Sequence, residues 1–222
     1  MGAQLICEVE RSRIPGLAWA VKPPVESVIR SLAPEDQVLL TKLLTEPVEF
    51  VEHARLSSTT IDRELFGGPA RLVDSHATRF TDRADAMVDA ICSGERLPTL
   101  THAQEEHLFL RFNLTRMKIA SILHGSAGKR LLAETTRELL AWGHRMLAAR
   151  SVIVRLNMPL VLAMAKRTRL GSVDFNELIS EGNMALLRSV EKFDCSRGYK
   201  FSTYSCRAIL KSFSRVAMRA SR

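Results

Sequence analysis

Apolar positions along this chain recur every three or four residues in most windows, and strict apolar/polar alternation never persists long enough for a strand, so the pattern predicts an all-α protein. Residues 24–46 read as two short helices broken at Pro34, which suits a first-turn position because proline lacks the amide left unbonded there; Pro47 ends the second. The stretch 57–81 holds Gly67, Gly68 and Pro69 and predicts a loop or connection with room for one short helix. Thr81 is a candidate N-cap for a helix reaching Ser93, stopped by Gly94 and Pro98. Thr101 and Gln104 form a capping box before LFLRFNLTRMKIASIL, in which Leu108, Phe112, Thr115, Ile119 and Ile122 share one face. A long helix is predicted over 129–156, with Leu132, Leu139, Leu140, Trp142, Met146 and Leu147 as its packing positions in a bundle.

Asn157 and Pro159 predict a helix restart, because the Asn side chain can accept a first-turn amide and proline has none to orphan; that helix should end near Gly171. Asp174 and Glu177 begin another, with Phe175, Leu178, Ile179, Leu186, Val190 and Phe193 on its apolar face and Gly182 permitting close approach of a second helix. Its opposite face carries Asn176, Glu177, Ser180, Glu181 and Arg188. A last helix starts near Ser202 or Thr203 and spaces Arg207, Lys211, Arg215 and Arg219 four apart, a basic stripe drifting around one side.

Charge changes this picture more through its placement than its size. The net charge is +8, yet residues 1–149 hold 18 Lys and Arg against 19 Asp and Glu, while residues 150–222 hold 14 against 5. No acidic residue follows Asp194. A polyanion partner fits such asymmetry, since each cation set on a phosphate releases counterions; a solvated basic helix face fits it too. The chain has 222 residues, 46% of them hydrophobic, which is ample for a globular core. Its four cysteines, Cys7, Cys92, Cys195 and Cys206, show no C-x-x-C spacing, and no histidine pairs with them as ligands, so no disulfide framework, metal or cofactor is expected. His102 and His107 with Glu105 and Glu106 do not make H-E-x-x-H, and no nucleophile–base pair is evident, so no enzyme is expected. Glu8 and Glu10 interrupt the run a signal peptide needs, and Ile6 stands where myristoylation needs Ser or Thr. The longest apolar run, 158–165, falls short of the roughly 20 residues that span a bilayer, so a cytoplasmic protein without a membrane segment is expected.

The most informative run is EKFDCSRGYKFSTYSCRAILKSFSR at 191–215, where Phe193, Tyr199, Phe201 and Tyr204 alternate with Arg197, Lys200 and Arg207. Aromatic faces beside cations suit extruded bases, each stack giving on the order of 1–3 kcal/mol against the few kcal/mol that unpairing costs. The alternative is that Phe193 and Phe201 are core and the tyrosines amphipathic plugs. NMPLVLAMAKR at 157–167, DFNELISEGNMALLRSVEKFD at 174–194 and SRGYKFSTY at 196–204, in this order and spacing, resemble the second conserved region of sigma-70 family transcription initiation factors over about 150–215. LTHAQEEHLFLRFN at 100–113 is more distantly similar to the preceding conserved helix of the primary-type members.

The resemblance implies an all-α helical bundle of the sigma-factor second-domain type at 99–222, clearest at 150–215, with an additional N-terminal helical segment at 1–98 that it leaves unassigned. It implies that Glu177, Ser180, Glu181, Asn183 and Leu187 dock on the coiled coil of the largest subunit of core RNA polymerase, a face otherwise readable as ordinary solvated surface. Phe193, Arg197 and Tyr204 match the pocket for the flipped adenine of the minus-ten element, and Asn157, Leu160 and Ser202 match positions around a second flipped base. Lys200 and Phe201 would follow the non-template strand, with Tyr199, Arg207, Lys211, Ser214 and Arg215 completing the DNA face. An anti-sigma factor or another regulator is a further candidate partner. Arg207 and Ala208 stand where the family usually has a tryptophan wedge, Lys211 and Ser214 replace a usual Gln and Thr, and Pro159 replaces a usual Arg. No residues correspond to the later regions that read the minus-thirty-five element, so that route of recognition is not expected. Three readings follow: an initiation factor, a decoy that occupies the polymerase without opening DNA, and a helical DNA-binding protein unrelated to polymerase.

Overall fold

The computed structural model describes residues 21–67, 100–168 and 173–220. Its longer elements are α1 (Glu26–Ser31), α2 (Pro34–Thr45), α3 (Ile61–Phe66), α4 (His102–Gly125), α5 (Ala133–Arg167), α6 (Phe175–Lys192) and α7 (Phe201–Ala220), with short 3-10 turns at Ala54–Ser57 and Cys195–Arg197. One isolated β-bridge, Lys22 with Arg130, is the sole extended pairing among the described residues. The fold is all-α. It divides into two compact units, one from residues 21–67 and 110–147, the other from 100–109, 148–168 and 173–220.

In the first unit Pro34 begins α2, and Leu39, Leu40 and Leu43 pack with Ile119, Leu123, Leu131, Leu139, Leu140 and Trp142. Leu56, Ile61 and Leu65 form a smaller cluster with Leu110 and Leu114. Gly67, in the left-handed region at φ 72°, closes α3. Phe66 meets the edge of Trp142 at 5.9 Å between centroids and lies under Arg145 and Arg111 at 4.6 and 4.7 Å. The buried amide of Asn113 accepts from the Val51 N–H at 3.0 Å.

The second unit holds α6 and α7 as a hairpin across a short turn. The expected close approach at Gly182 is present: a Cβ there would lie 2.5 Å from Val161 Cγ1 and 3.0 Å from Phe213 Cε1. Leu178, Ala185, Leu186 and Val190 bury one face of α6, and Ile209, Phe213 and Val216 one face of α7. The capping box forms as expected, with the Thr101 N–H donating to Gln104 Oε1 at 3.0 Å and the Gln104 N–H to Thr101 Oγ1 at 3.3 Å.

Several boundaries and faces differ from expectation. α5 starts at Ala133 and does not restart at Asn157; it runs through Pro159 to Arg167. Pro159 has no N–H to donate to the helix, a cost of about 3 kcal/mol in a helix interior. Buried Val152 and Ile153 before the proline and Val161 and Ala165 after it offset that cost, and Asn157 donates Nδ2–H to the Ile153 carbonyl at 2.8 Å instead of capping a new helix. Leu132 and Leu147, expected to pack, are exposed, as is Phe175, because α6 is covered only from Leu178 onward. α4 is buried well beyond one stripe, with Phe109, Leu110, Leu114 and Leu123 joining the expected positions. α5 is long enough, and in an 18-residue window apolar enough at a mean hydropathy of 1.5, to cross a membrane, although Arg155 and Asn157 interrupt its apolar runs. A core helix can be equally long and apolar, and Arg150 on α5 pairs with Glu191 at 2.8 Å. The helix expected at 81–93 and the helix end near Gly171 lie outside the described residues.

Candidate nucleic-acid interface

The aromatic residues of the informative run come together in one cluster. Phe193 is its centre, with ring centroids 4.7 Å from Phe109, 5.2 Å from Phe201, 5.6 Å from Tyr204 and 6.1 Å from Tyr199. Phe193 and Phe201 are only 2% and 1% exposed, whereas Tyr199 is 40% exposed and Tyr204 half-buried. The two phenylalanines therefore present little ring surface to a ligand and set the position of the two tyrosines, which do. Phe109, from α4, lies 5.1 Å from Phe201 and completes the floor.

The turn between α6 and α7 is held by one carboxylate. Asp194 Oδ1 accepts from the Ser196 N–H at 3.0 Å and hydroxyl at 2.6 Å, while Oδ2 accepts from Arg197 Nε at 3.0 Å. Burial pushes the Asp194 carboxyl up, but the bonds from Ser196 and Arg197 together hold it below its ordinary value. Gly198 takes φ 74°, a left-handed conformation that turns the chain toward Tyr199. Asp194, and after it Tyr199, hold the Arg197 proton more firmly than usual, and the guanidinium stays 64% exposed. An exposed cation is thus fixed beside an exposed ring.

α7 begins at Phe201, earlier than expected, because Glu105 on α4 accepts the Phe201 N–H. A carboxylate there satisfies an amide with no partner in its own helix and opposes the positive end of the helix dipole. Glu105 is buried, and that burial raises its carboxyl above the ordinary value despite the opposing Phe201 bond and the nearby Lys200 and His102. Burial likewise pushes the Cys195 thiol up to about 11. Cys195 and Cys206 are both free.

Beyond the cluster, Lys200, Arg207, Lys211, Ser214 and Arg215 are exposed on α7 or just before it, and Ser202 is half-buried. Asn157 and Leu160 are half-buried on α5, and no hydrogen bond joins Asn157 to Ser202. On α6, Glu177 and Ser180 are exposed, and Glu181, Asn183 and Leu187 are half-buried. Glu181 is engaged within the chain: Oε1 accepts from Arg219 Nη2 at 2.9 Å and Oε2 from the Ser212 hydroxyl at 3.2 Å. The Arg219 bond holds the Glu181 carboxyl below its ordinary value, against some burial and with help from Ser212.

Sequence reasoning missed the parts played by Glu105, Phe109, Asp194 and Arg219. Two signals were available. Glu105 and Phe109 are four apart on one helix, hence on one face, and Asp194 with Ser196 and Gly198 has the spacing of a side-chain-closed turn.

Comparison with known proteins bears on the same segment. The model of the family described as Sigma-70 region 2 matches residues 153–222. The chain is 30% identical to the RNA polymerase sigma-B factor of a Nostoc species over 162 residues, 67% of this chain and 48% of that protein. It is 44% identical over 72 residues to the RNA polymerase principal sigma factor HrdD of Streptomyces griseus, 32% of this chain and 21% of that protein. It is 35% identical over 138 residues to HrdD of Streptomyces viridifaciens, 61% of this chain and 40% of the relative. The chain thus spans less than half the length of these relatives. Residues 153–222 form a sigma-70 region 2, and through that region the chain belongs to the sigma-70 family of RNA polymerase sigma factors.

Proposed function

We propose that this chain is a sigma-type, non-enzymatic transcription initiation factor that docks on core RNA polymerase through Glu177, Ser180, Glu181, Asn183 and Leu187 and captures the non-template strand of the minus-ten element along Arg197 to Arg215. The observation that carries the reading is the division of the aromatic cluster, with Phe193 and Phe201 sealed beneath, Tyr199 exposed beside the fixed Arg197, and Tyr204 half-buried against Phe193. A base taken from the duplex needs a ring to stack on and a cation near its phosphate. In this arrangement Phe193 supports Tyr204 from below, Tyr204 offers the ring, and Lys200, Arg207, Lys211 and Arg215 track the backbone.

The test is Tyr204→Ala. Losing one base stack should weaken binding to forked minus-ten DNA by about fivefold or more, from a stacking contribution of roughly 1–3 kcal/mol. Binding to core polymerase should be unchanged. Equal loss of both activities would overturn the assignment.

One observation favours a second reading, a regulatory decoy that docks without opening DNA: Arg207 and Ala208 stand where relatives in the resemblance carry wedge tryptophans. A cation cannot replace two aromatic planes against a closed base pair. Run-off transcription with purified core polymerase separates the two readings. Promoter-specific product supports initiation, and dose-dependent inhibition of another sigma factor supports the decoy.

A further inference from the structure

The four cations of α7 are not equivalent. Successive residues of a helix are turned by about 100°, so each step of four advances the stripe by about 40°, and Arg219 lies about 120° around from Arg207. Ser212 and Arg219 are seven apart, within about 20° of each other, and Ser212 is buried against α6. The drift therefore carries Arg219 off the open face and onto the side that meets Glu181. There it closes a clasp in which one carboxylate takes Arg219 Nη2 at 2.9 Å through Oε1 and the Ser212 hydroxyl at 3.2 Å through Oε2. Arg207, Lys211 and Arg215 make no ion pair among the described residues and stay exposed.

We propose that Arg219 is a further phosphate-binding residue, held in reserve by Glu181 and released to DNA when the polymerase coiled coil engages that carboxylate. This inference rests on the docking role given to Glu181 above. The chemistry is an exchange of partners: a cation of the docking coiled coil takes the place of Arg219 on Glu181, and the freed guanidinium swings to a phosphate next to those held by Lys211 and Arg215. Arg219 is 62% exposed at its side chain and Glu181 31%, so the pair can open without unpacking the helices. Ser212 stays in place and keeps Glu181 aimed outward. Because both events draw on one ion pair, the coupling is reciprocal: polymerase strengthens DNA binding, and DNA strengthens docking.

The full chain is titrated against a short fluorescent duplex at several salt concentrations, as wild type, Glu181→Gln, Arg219→Gln and the double variant. Glu181→Gln frees Arg219 without polymerase, so its slope of log affinity against log salt should steepen by about 0.9, one phosphate contact, with a gain of about fivefold to tenfold in affinity at 0.1 M salt. The double variant, which lacks the same negative charge, should return to the wild-type slope, and Arg219→Gln alone should leave that slope unchanged. Equal slopes for Glu181→Gln and the double variant would overturn the clasp. Repeating the titration with the chain bound to core polymerase should give wild type the steeper slope that Arg219→Gln lacks. No complex between wild type and core would overturn the docking reading, while complex formation with equal slopes would overturn the clasp alone.

Discussion

Replacing Gly182 by alanine tests the packing on which both proposed faces depend. In an open helix the change would stabilise by about 1 kcal/mol, because glycine loses more backbone entropy than alanine. Here the new methyl would stand 2.5 Å from Val161 Cγ1 and 3.0 Å from Phe213 Cε1, against the roughly 3.5–4.0 Å at which carbon atoms rest. Neither neighbour can step aside. Val161 is β-branched and fully buried, and Phe213 is buried within the hairpin. Overpacking of this kind costs typically about 1–3 kcal/mol, and an overlap near 1 Å against a stiff residue belongs at the upper end. Setting the propensity gain against it leaves a net loss of about 1–2 kcal/mol, a fall in Tm of roughly 2–8 °C for a chain this size. Thermal unfolding followed by far-UV circular dichroism measures it. Gly125, at the end of α4 with nothing within 4 Å of its Cβ position, is the control, and Gly125→Ala should leave Tm unchanged or raise it. A Gly182→Ala protein as stable as wild type would refute the close helix approach.

Two further outcomes are expected. The raised carboxyl of Glu105 means the folded state binds its proton more tightly than the unfolded chain does, so its contribution is present at acid pH and is lost as pH rises through the folded value. Glu105→Gln keeps an acceptor for the Phe201 N–H without the buried charge, so its Tm should exceed wild type at neutral pH and converge with it as pH falls toward 4.5, whereas Glu105→Ala should lose about 1–3 kcal/mol; a Gln variant as unstable as Ala would contradict this. Arg207→Trp with Ala208→Trp should increase permanganate reactivity of minus-ten thymines at low temperature in the presence of core polymerase, and unchanged reactivity would show that the missing aromatics do not limit opening.

Local chemistry made much of the fold legible. Pro34 and Pro47 bracket α2, Thr101 and Gln104 start α4, and Gly182 marks a real helix contact, because each acts within a turn or two of itself. The failures have the opposite character. Asn157 and Pro159 carry a correct local signal for a helix start, overridden by burial of Val161 and Ala165 beyond the proline. Leu132 stands just before α5 begins, and Leu147 obeys the helical period yet is exposed, because periodicity cannot say which turns of a long helix find a partner.

At the site, spacing left open whether the aromatic residues are accessible or fill a core, and the cluster divides: Phe193 and Phe201 are core, while Tyr199 and Tyr204 keep part of their surface open. The division follows side-chain chemistry. A phenylalanine has no polar atom to satisfy and is best sealed; a tyrosine needs an outlet for its hydroxyl and keeps part of its ring at the surface. What could not be read from the run itself is the floor, since Phe109 and Glu105 reach it from α4, some 90 residues away in sequence. They fix Phe193, Phe201 and the first amide of α7 from outside that run. Through them α4 sets where Tyr204 stands, so the position of the ring proposed to stack on a base depends on a helix distant from it in sequence.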